Sequence, residues 1–327
     1  MATMLWIQTG GCSGDTMSLL NAESPDLLEA LRGLELELLW HPSLSLLGPA
    51  GLGRMIDRIE RGEQALTILV VEGAIAQGPA GTGLYDTMLG EPKRDIVARL
   101  ADVASVVVAA GTCAAYGGIS AAGPDPDDYV GLQWTGDQPR GLLSPDWISR
   151  AGLPVINVAG CPTHPDDVLH ALRLVVYGGT IELDAVNRPV ERFEKAFHRA
   201  CPAKIPKLAG AEIEPGEIPC SFELGCQGPK TAARCSHGIW LGESSKPRVG
   251  APCVGCTSPT FPEDRELLAP DLDFVADAPP LGVSMADHRA YGGMVRYTMR
   301  RITAGLVAIT EPRARRTQGL APVRPRA

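Results

Sequence analysis

Over the first 180 residues, short apolar runs alternate with helix-like segments. The runs at 4–9 (MLWIQT), 34–40 (LELELLW), 65–73 (ALTILVVEG), 105–112 (SVVVAAGT) and 153–160 (LPVINVAG) predict strands. The segments 24–32, 51–63, 91–103 and 165–176 predict helices between them. Strands alternating with helices imply βαβ units, hence a parallel sheet covered on both faces. ILVV and SVVVAA lack polar alternation, as strands buried on both faces should. The expected class is therefore α/β, with a parallel sheet domain over residues 1–185.

From about residue 190 the periodicity stops. A second, irregular domain is expected over 186–265, and a basic C-terminal extension over 266–327. Within that extension, MADHRAYGGMVRYTMRRITAGLVAI reads as an amphipathic helix carrying Arg296, Arg300 and Arg301, weakened by Gly292 and Gly293. Docking on a partner subunit, on a second copy of the assembly or on a membrane-associated acceptor are its candidate roles, with ordinary packing as the default.

The 327 residues are 45% hydrophobic, enough for a substantial core. No window approaches a membrane span. The N-terminus enters its first strand without a basic region or cleavage site, so a cytoplasmic location is expected. Net charge is −8, yet nine arginines against Glu311 alone make residues 289–327 basic. An acidic body argues against a dedicated nucleic-acid binder. For the tail, a solvated or partner-bound role outweighs contact with nucleic acid or anionic lipid.

Nine cysteines change the picture. In a reducing compartment clustered thiols indicate metal or redox chemistry more often than disulfides. Cys12 follows the first predicted strand, Glu72 ends the third, Cys113 follows the fourth and Cys161 the fifth. In an open parallel sheet, strand C-termini share one edge where ligands collect. Three thiols and two carboxylates, Asp15 and Glu72, should therefore converge there. The Gly-rich TGGCSGDT fits neither dinucleotide nor P-loop phosphate patterns, and a phosphate site leaves Cys113 and Cys161 unexplained. The other six cysteines fall within 56 residues: His198-x2-Cys201, Cys220-x5-Cys226, Cys235 and Cys253-x2-Cys256. A segment so poor in apolar periodicity needs metal to organise it. Zinc could use Cys235, Cys253, Cys256 and His237. Iron–sulfur clusters account for all nine cysteines as three groups of three.

The motifs GGCSGDTMSLL, WHPSLS, VVEG, GTCAAYGG, NVAGCPTHP, HRAC, CSFELGCQGP and APCVGCTSP together resemble the small, electron-transferring subunit of nickel–iron hydrogenases, over roughly residues 4–262. The resemblance implies a flavodoxin-like domain followed by an irregular iron–sulfur domain. It assigns Cys12, Cys113 and Cys161 to an inner (proximal) cluster. His198, Cys201, Cys220 and Cys226 go to an outer (distal) [4Fe-4S] cluster. Cys235, Cys253 and Cys256, with Pro259 nearby, go to a middle (medial) [3Fe-4S] cluster. Where the usual pattern has the inner cluster's second cysteine, this chain has Asp15. Three arrangements stay open: Asp15 ligates iron through oxygen in a [4Fe-4S] cluster, Glu72 supplies the ligand, or the site holds [3Fe-4S]. Alternatively Asp15 only caps the helix at TMSLL. Branches of the family that work in air or at very low hydrogen also depart from four cysteines here.

By the same resemblance, hydrogen is cleaved at a nickel–iron centre in a large-subunit partner, in a heterodimer or a dimer of heterodimers. This chain would be inactive alone and would pass electrons singly to a quinone or a redox protein. Glu72 would either join a proton route or hold its loop. The leading reading is a cytoplasmic uptake enzyme, peripherally membrane-associated at most through a partner. The alternatives are a hydrogen sensor signalling to a kinase and a zinc-stabilised, non-redox binding module. Quinone-reducing complexes share the inner-cluster fold but lack the six-cysteine region.

Overall fold

A computed structural model describes residues 1–125, 127–203, 220–221, 225–237, 245–262, 283–286 and 289. The helix predicted at 285–309, with its arginines, lies outside the described residues except at 285, 286 and 289, and so does most of the basic extension.

Five parallel strands form the central sheet: β1 (Ala2–Gln8), β2 (Leu36–Trp40), β3 (Ile68–Glu72), β4 (Val106–Ala110) and β5 (Ile156–Val158). Their spatial order is β2-β1-β3-β4-β5, the flavodoxin-like arrangement. All five predicted strands and the α/β class are present. Alternation of side chains assigns the two faces. Leu5, Ile7, Leu69, Val71 and Val107 pack against α3 (Pro49–Glu60) and α4 (Lys93–Val103) through Leu52, Ile56, Ile96 and Leu100. Met4, Trp6, Ile68, Val70 and Val108 face the other way, onto α1 (Gly14–Leu20), α2 (Leu27–Gly33) and α6 (Pro165–Tyr177), meeting Leu19, Leu31, Val168 and Leu172. Every residue of β3 and β4 is buried, so truncating Leu69 to alanine would cost about 2–5 kcal/mol.

Local signals fix the helix ends. Asp26 and Glu29 form a reciprocal capping box at the start of α2, and Pro49 opens α3 at a position where no intrahelical N–H is needed. A further short helix, α5 (Gly111–Tyr116), starts where Gly111 adopts φ +85°, ending β4 two residues before the predicted limit. The register sets Gln8, Glu72 and Ala110 side by side at the C-terminal edge of the sheet.

The second region has no sheet among its described residues. It folds as short 3-10 turns, Phe197–Ala200, Gly228–Lys230 and Lys246–Val249. Its small core is Phe197, Ala233 and Cys253, with Cys201, Cys226 and Cys235 packed against it. Cysteine sulfur fills the place that aliphatic side chains fill in the first domain. Buried Arg188 pins this region to the sheet domain. It pairs with Asp184 at 2.7 Å and donates to the Thr257 carbonyl at 3.1 Å.

Candidate metal centres

The topological switch between β1 and β3 is where a doubly wound sheet opens a crevice. The loop after β1 crosses it, held by paired backbone hydrogen bonds between Gly10 and Ala74 at 2.9 and 2.8 Å. Glu72, the last residue of β3, anchors that loop. Its Oε1 accepts the N–H groups of Asp15 (3.1 Å) and Thr16 (3.0 Å). Its Oε2 accepts from Trp6 Nε1 (3.0 Å), Gln8 Nε2 (3.3 Å) and the Thr16 hydroxyl. Five donors thus occupy two oxygens, and Glu72 is 1% exposed.

Asp15 lies beside it in the first turn of α1, also buried. It does not cap that helix: Ser13 holds the cap position, with φ +63° and no side-chain cap bond. The Asp15 carboxylate turns instead to the loop after β5, where Oδ1 accepts the Thr163 N–H at 2.6 Å. It fills the space beside the Gly111 Cα, where a built Cβ would come within 2.1 Å of Oδ2. Burial, offset in part by the Thr163 hydrogen bond and reinforced by Glu72, pushes its pKa up to about 7.

Cys113 and Cys161 lie within electrostatic reach of this carboxylate and of Cys12. Burial raises Cys113 to about 11, against an opposing N–H from Ile119, and Asp15, Cys12 and Glu72 add to the rise. Burial likewise raises Cys161 to about 12, with Cys113, Cys256, Asp15 and Cys12 as electrostatic neighbours. Buried thiols held near a carboxylate cannot readily become anions unless cationic iron compensates them. Cys12 is the exposed member of the set.

Thr112, which nothing in the sequence singles out beyond its place in GTC, joins the inner set to the second region. Its hydroxyl accepts the Gly160 N–H at 2.9 Å and donates to the Cys256 carbonyl. Cys235, Cys253 and Cys256 lie together beyond it. Burial raises Cys235 to about 11, with Cys256 the next contributor, and Cys253 is raised by burial and by Cys256 and Cys226. The Cys253 N–H donates to Cys226 Sγ at 3.3 Å, linking this set to the next. There His198, Cys201, Cys220 and Cys226 line one recess with Phe197, Pro229 and Pro247.

None of the nine cysteines is in a disulfide. No three His, Cys, Asp or Glu side chains among the described residues close tightly enough on one point to hold a single ion. The zinc set Cys235, Cys253, Cys256 and His237 lies wholly within those residues, and a zinc site needs every donor about 2.0–2.3 Å from one centre. Thiolates around a multi-iron cluster stand farther apart, because iron and sulfide lie between them.

Several apolar side chains are left exposed. Met17 and Leu20 lie on α1, Leu46 and Leu47 follow β2, and Ile119 follows α5. No helix among the described residues is long and apolar enough to cross a membrane.

Comparison with known proteins gives the same picture. Residues 193–269 match the model for the C-terminal part of the NiFe/NiFeSe hydrogenase small subunit, and residues 12–175 match that for the 20 kDa subunit of NADH ubiquinone oxidoreductase. An F420 non-reducing hydrogenase II small subunit of Methanosarcina mazei is 32% identical, over 84% of this chain and 79% of that one. The periplasmic [NiFeSe] hydrogenase small subunit of Desulfomicrobium baculatum is 31% identical, over 81% and 85%. Among solved structures, an actinobacterial-type NiFe-hydrogenase chain from Ralstonia eutropha H16 aligns with TM-score 0.70 and 30% identity, covering 98% of this chain and 94% of that chain.

Proposed function

This chain belongs to the nickel–iron hydrogenase small subunits, and we propose that it relays electrons from hydrogen oxidation in a large-subunit partner through three iron–sulfur clusters to an acceptor. Family membership makes it an electron-transfer subunit of a hydrogenase and sets aside the zinc-stabilised module. Small subunits of this family in general carry iron–sulfur clusters and pair with a large subunit. Their number, ligands and cellular role here belong to the proposal.

What supports the relay is that hydrogen bonds link the neighbourhoods of the three proposed donor sets. Thr112 ties the inner set to Cys256, and the Cys253 N–H reaches Cys226 in the outer set. The ligands proposed are Cys12, Asp15, Cys113 and Cys161, then Cys235, Cys253 and Cys256, then His198, Cys201, Cys220 and Cys226. Glu72 is the less favoured fourth ligand because five donors already occupy its oxygens. Iron–sulfur clusters accept and release one electron at a time. The chain's own contribution is N–H groups directed at sulfur. Ile119 donates to Cys113, and both Gly228 and Cys253 donate to Cys226. Such donors stabilise negative charge on sulfur and raise a cluster's potential.

The proposal includes a sheet domain over 1–185, a cluster domain over 186–265 and a separate extension, supported by the change from strand–helix alternation to 3-10 turns. It also includes a cytoplasmic uptake role with a quinone or a redox protein as acceptor. Curated relatives include periplasmic enzymes, so fractionation of a tagged strain tests the location. Iron and sulfide analysis with EPR on the co-purified heterodimer tests the relay. Three distinct cluster signals are expected, and a colourless protein with stoichiometric zinc overturns it. Sustained turnover with an artificial acceptor supports uptake, whereas only slow turnover points to sensing.

A further inference from the structure

Thr112 is the second residue of α5, one peptide bond before Cys113, and is only 1% exposed. Its backbone N–H donates to the Gly160 carbonyl at 2.8 Å, and its hydroxyl accepts the Gly160 N–H at 2.9 Å. The same hydroxyl donates to the Cys256 carbonyl. Gly160 in turn stands one peptide bond before Cys161. One buried side-chain oxygen is therefore bonded to the backbone of two segments that carry inner cysteines and one that carries a middle cysteine. Other contacts already hold the segment after Cys256. Arg188 Nη1 donates to the Thr257 carbonyl at 3.1 Å, the Thr257 hydroxyl donates to the Ala232 carbonyl at 2.7 Å, and the Ser258 N–H donates to the Gly255 carbonyl at 2.8 Å. The Thr112 hydroxyl thus does more than fasten Cys256 in place.

We propose that the Thr112 hydroxyl is the electronic bridge between the inner and middle positions, the hydrogen-bonded link along which an electron tunnels from one to the other. This rests on the cluster reading given above. Tunnelling falls off less steeply along covalent and hydrogen bonds than across gaps between packed surfaces. A hydroxyl bonded on both sides therefore couples its neighbours more strongly than a methyl group of the same size. Both of its partners are satisfied in a buried place, which fixes its orientation. In the step, one electron leaves the inner position and one arrives at the middle position, while the hydroxyl keeps its proton. Its partners are backbone groups and not cysteine sulfur, so removing it leaves the hydrogen bonds that tune sulfur charge, and with them both potentials, in place.

Thr112→Val keeps the shape and loses the hydroxyl, whereas Thr112→Ser keeps the hydroxyl and loses the methyl. Both are compared with the parent as purified heterodimers. EPR-monitored redox titration gives the midpoint potentials, and rapid freeze-quench EPR after mixing with hydrogen follows the reduction of each position. In Thr112→Val, reduction of the middle position is expected to slow several-fold while the inner position is reduced at the parent rate. Iron and sulfide content and both midpoint potentials should match the parent. Thr112→Ser should reduce its middle position as fast as the parent does. A parent rate in the valine variant overturns the proposal, as does equal slowing in the serine variant. Slowing that accompanies shifted potentials reflects driving force and also overturns it. Loss of a cluster from the valine variant makes the hydroxyl a structural fastener, with the same consequence. A parent protein without iron and sulfide instead removes the cluster reading itself, and this inference with it.

Discussion

Asp15 and Thr163 are joined by a 2.6 Å hydrogen bond across 148 residues, the Thr163 backbone N–H donating to the carboxylate. This one contact ties the Cys12 loop to the Cys161 loop, and therefore positions two of the three inner thiols relative to each other. Only Oδ1 is used in this way, while Oδ2 packs against the Gly111 backbone. Asp15→Ala should leave the Thr163 N–H unpaired in a buried place, at a cost of about 1–3 kcal/mol, visible as a lower midpoint in urea. Asp15→Cys separates the two roles. If oxygen binds iron, the inner cluster's EPR signal and potential change in that variant. An unchanged spectrum would remove Asp15 from the ligand set.

Glu72 gives a second, larger effect. Its five hydrogen bonds come from four residues on β1 and α1. Glu72→Ala strands several buried donors at once, so destabilisation of about 3 kcal/mol or more is expected. Glu72→Gln keeps the shape but turns an NH2 toward groups that are themselves donors, and should fall between parent and alanine. Thermal unfolding of the co-purified heterodimer measures both. Equal stability of all three proteins would show that the loop does not depend on this anchor.

The sheet was legible because ILVV and VVVAA have no polar alternation, and burial on both faces follows from that alone. The cysteines at strand ends were legible for a related reason: parallel strands bring their C-termini to one edge whatever lies between them. The role of Asp15 was not. A carboxylate near a helix start reads as a cap, yet its partner, Thr163, is remote in sequence and no local spacing announces it. Helix α5 was hidden for another reason. The strand-like AAGT continues past Ala110, and only the positive φ at Gly111 ends the strand. Thr112 and Thr163 act through contacts made after folding, which periodicity does not encode.

Exposed apolar side chains on a subunit that pairs with another are candidates for the shared face. Leu46 is fully exposed and Met17 is 63% exposed, so neither supports the fold of this chain. Leu46→Lys and Met17→Lys should each change its stability by less than about 0.5 kcal/mol. Together they should weaken pairing with the large subunit, because a lysine buried there loses its water without gaining a partner. Gel filtration of co-expressed subunits reads the outcome. An intact heterodimer at low micromolar concentration would place the partner elsewhere.

His41 supplies a pH dependence whose sign can be worked out. It is 2% exposed, lies tilted against Trp6 with ring centroids 5.3 Å apart, and accepts the Ser43 N–H on Nδ1 at 3.0 Å. The neutral ring must therefore carry its proton on Nε2, which lies 3.4 Å from the Thr16 hydroxyl bound to Glu72. Burial lowers the pKa of His41 from 6.5, with Glu72 opposing. A histidine whose folded pKa is depressed contributes full stability above the unfolded value, about 6.5, and loses it as pH falls toward the folded one. Urea midpoints should therefore drop as pH falls below about 6.5. In His41→Gln, whose amide oxygen can still accept from Ser43, that part of the slope should vanish while stability at neutral pH changes little. A slope identical in parent and variant would mean that the proton is taken up elsewhere.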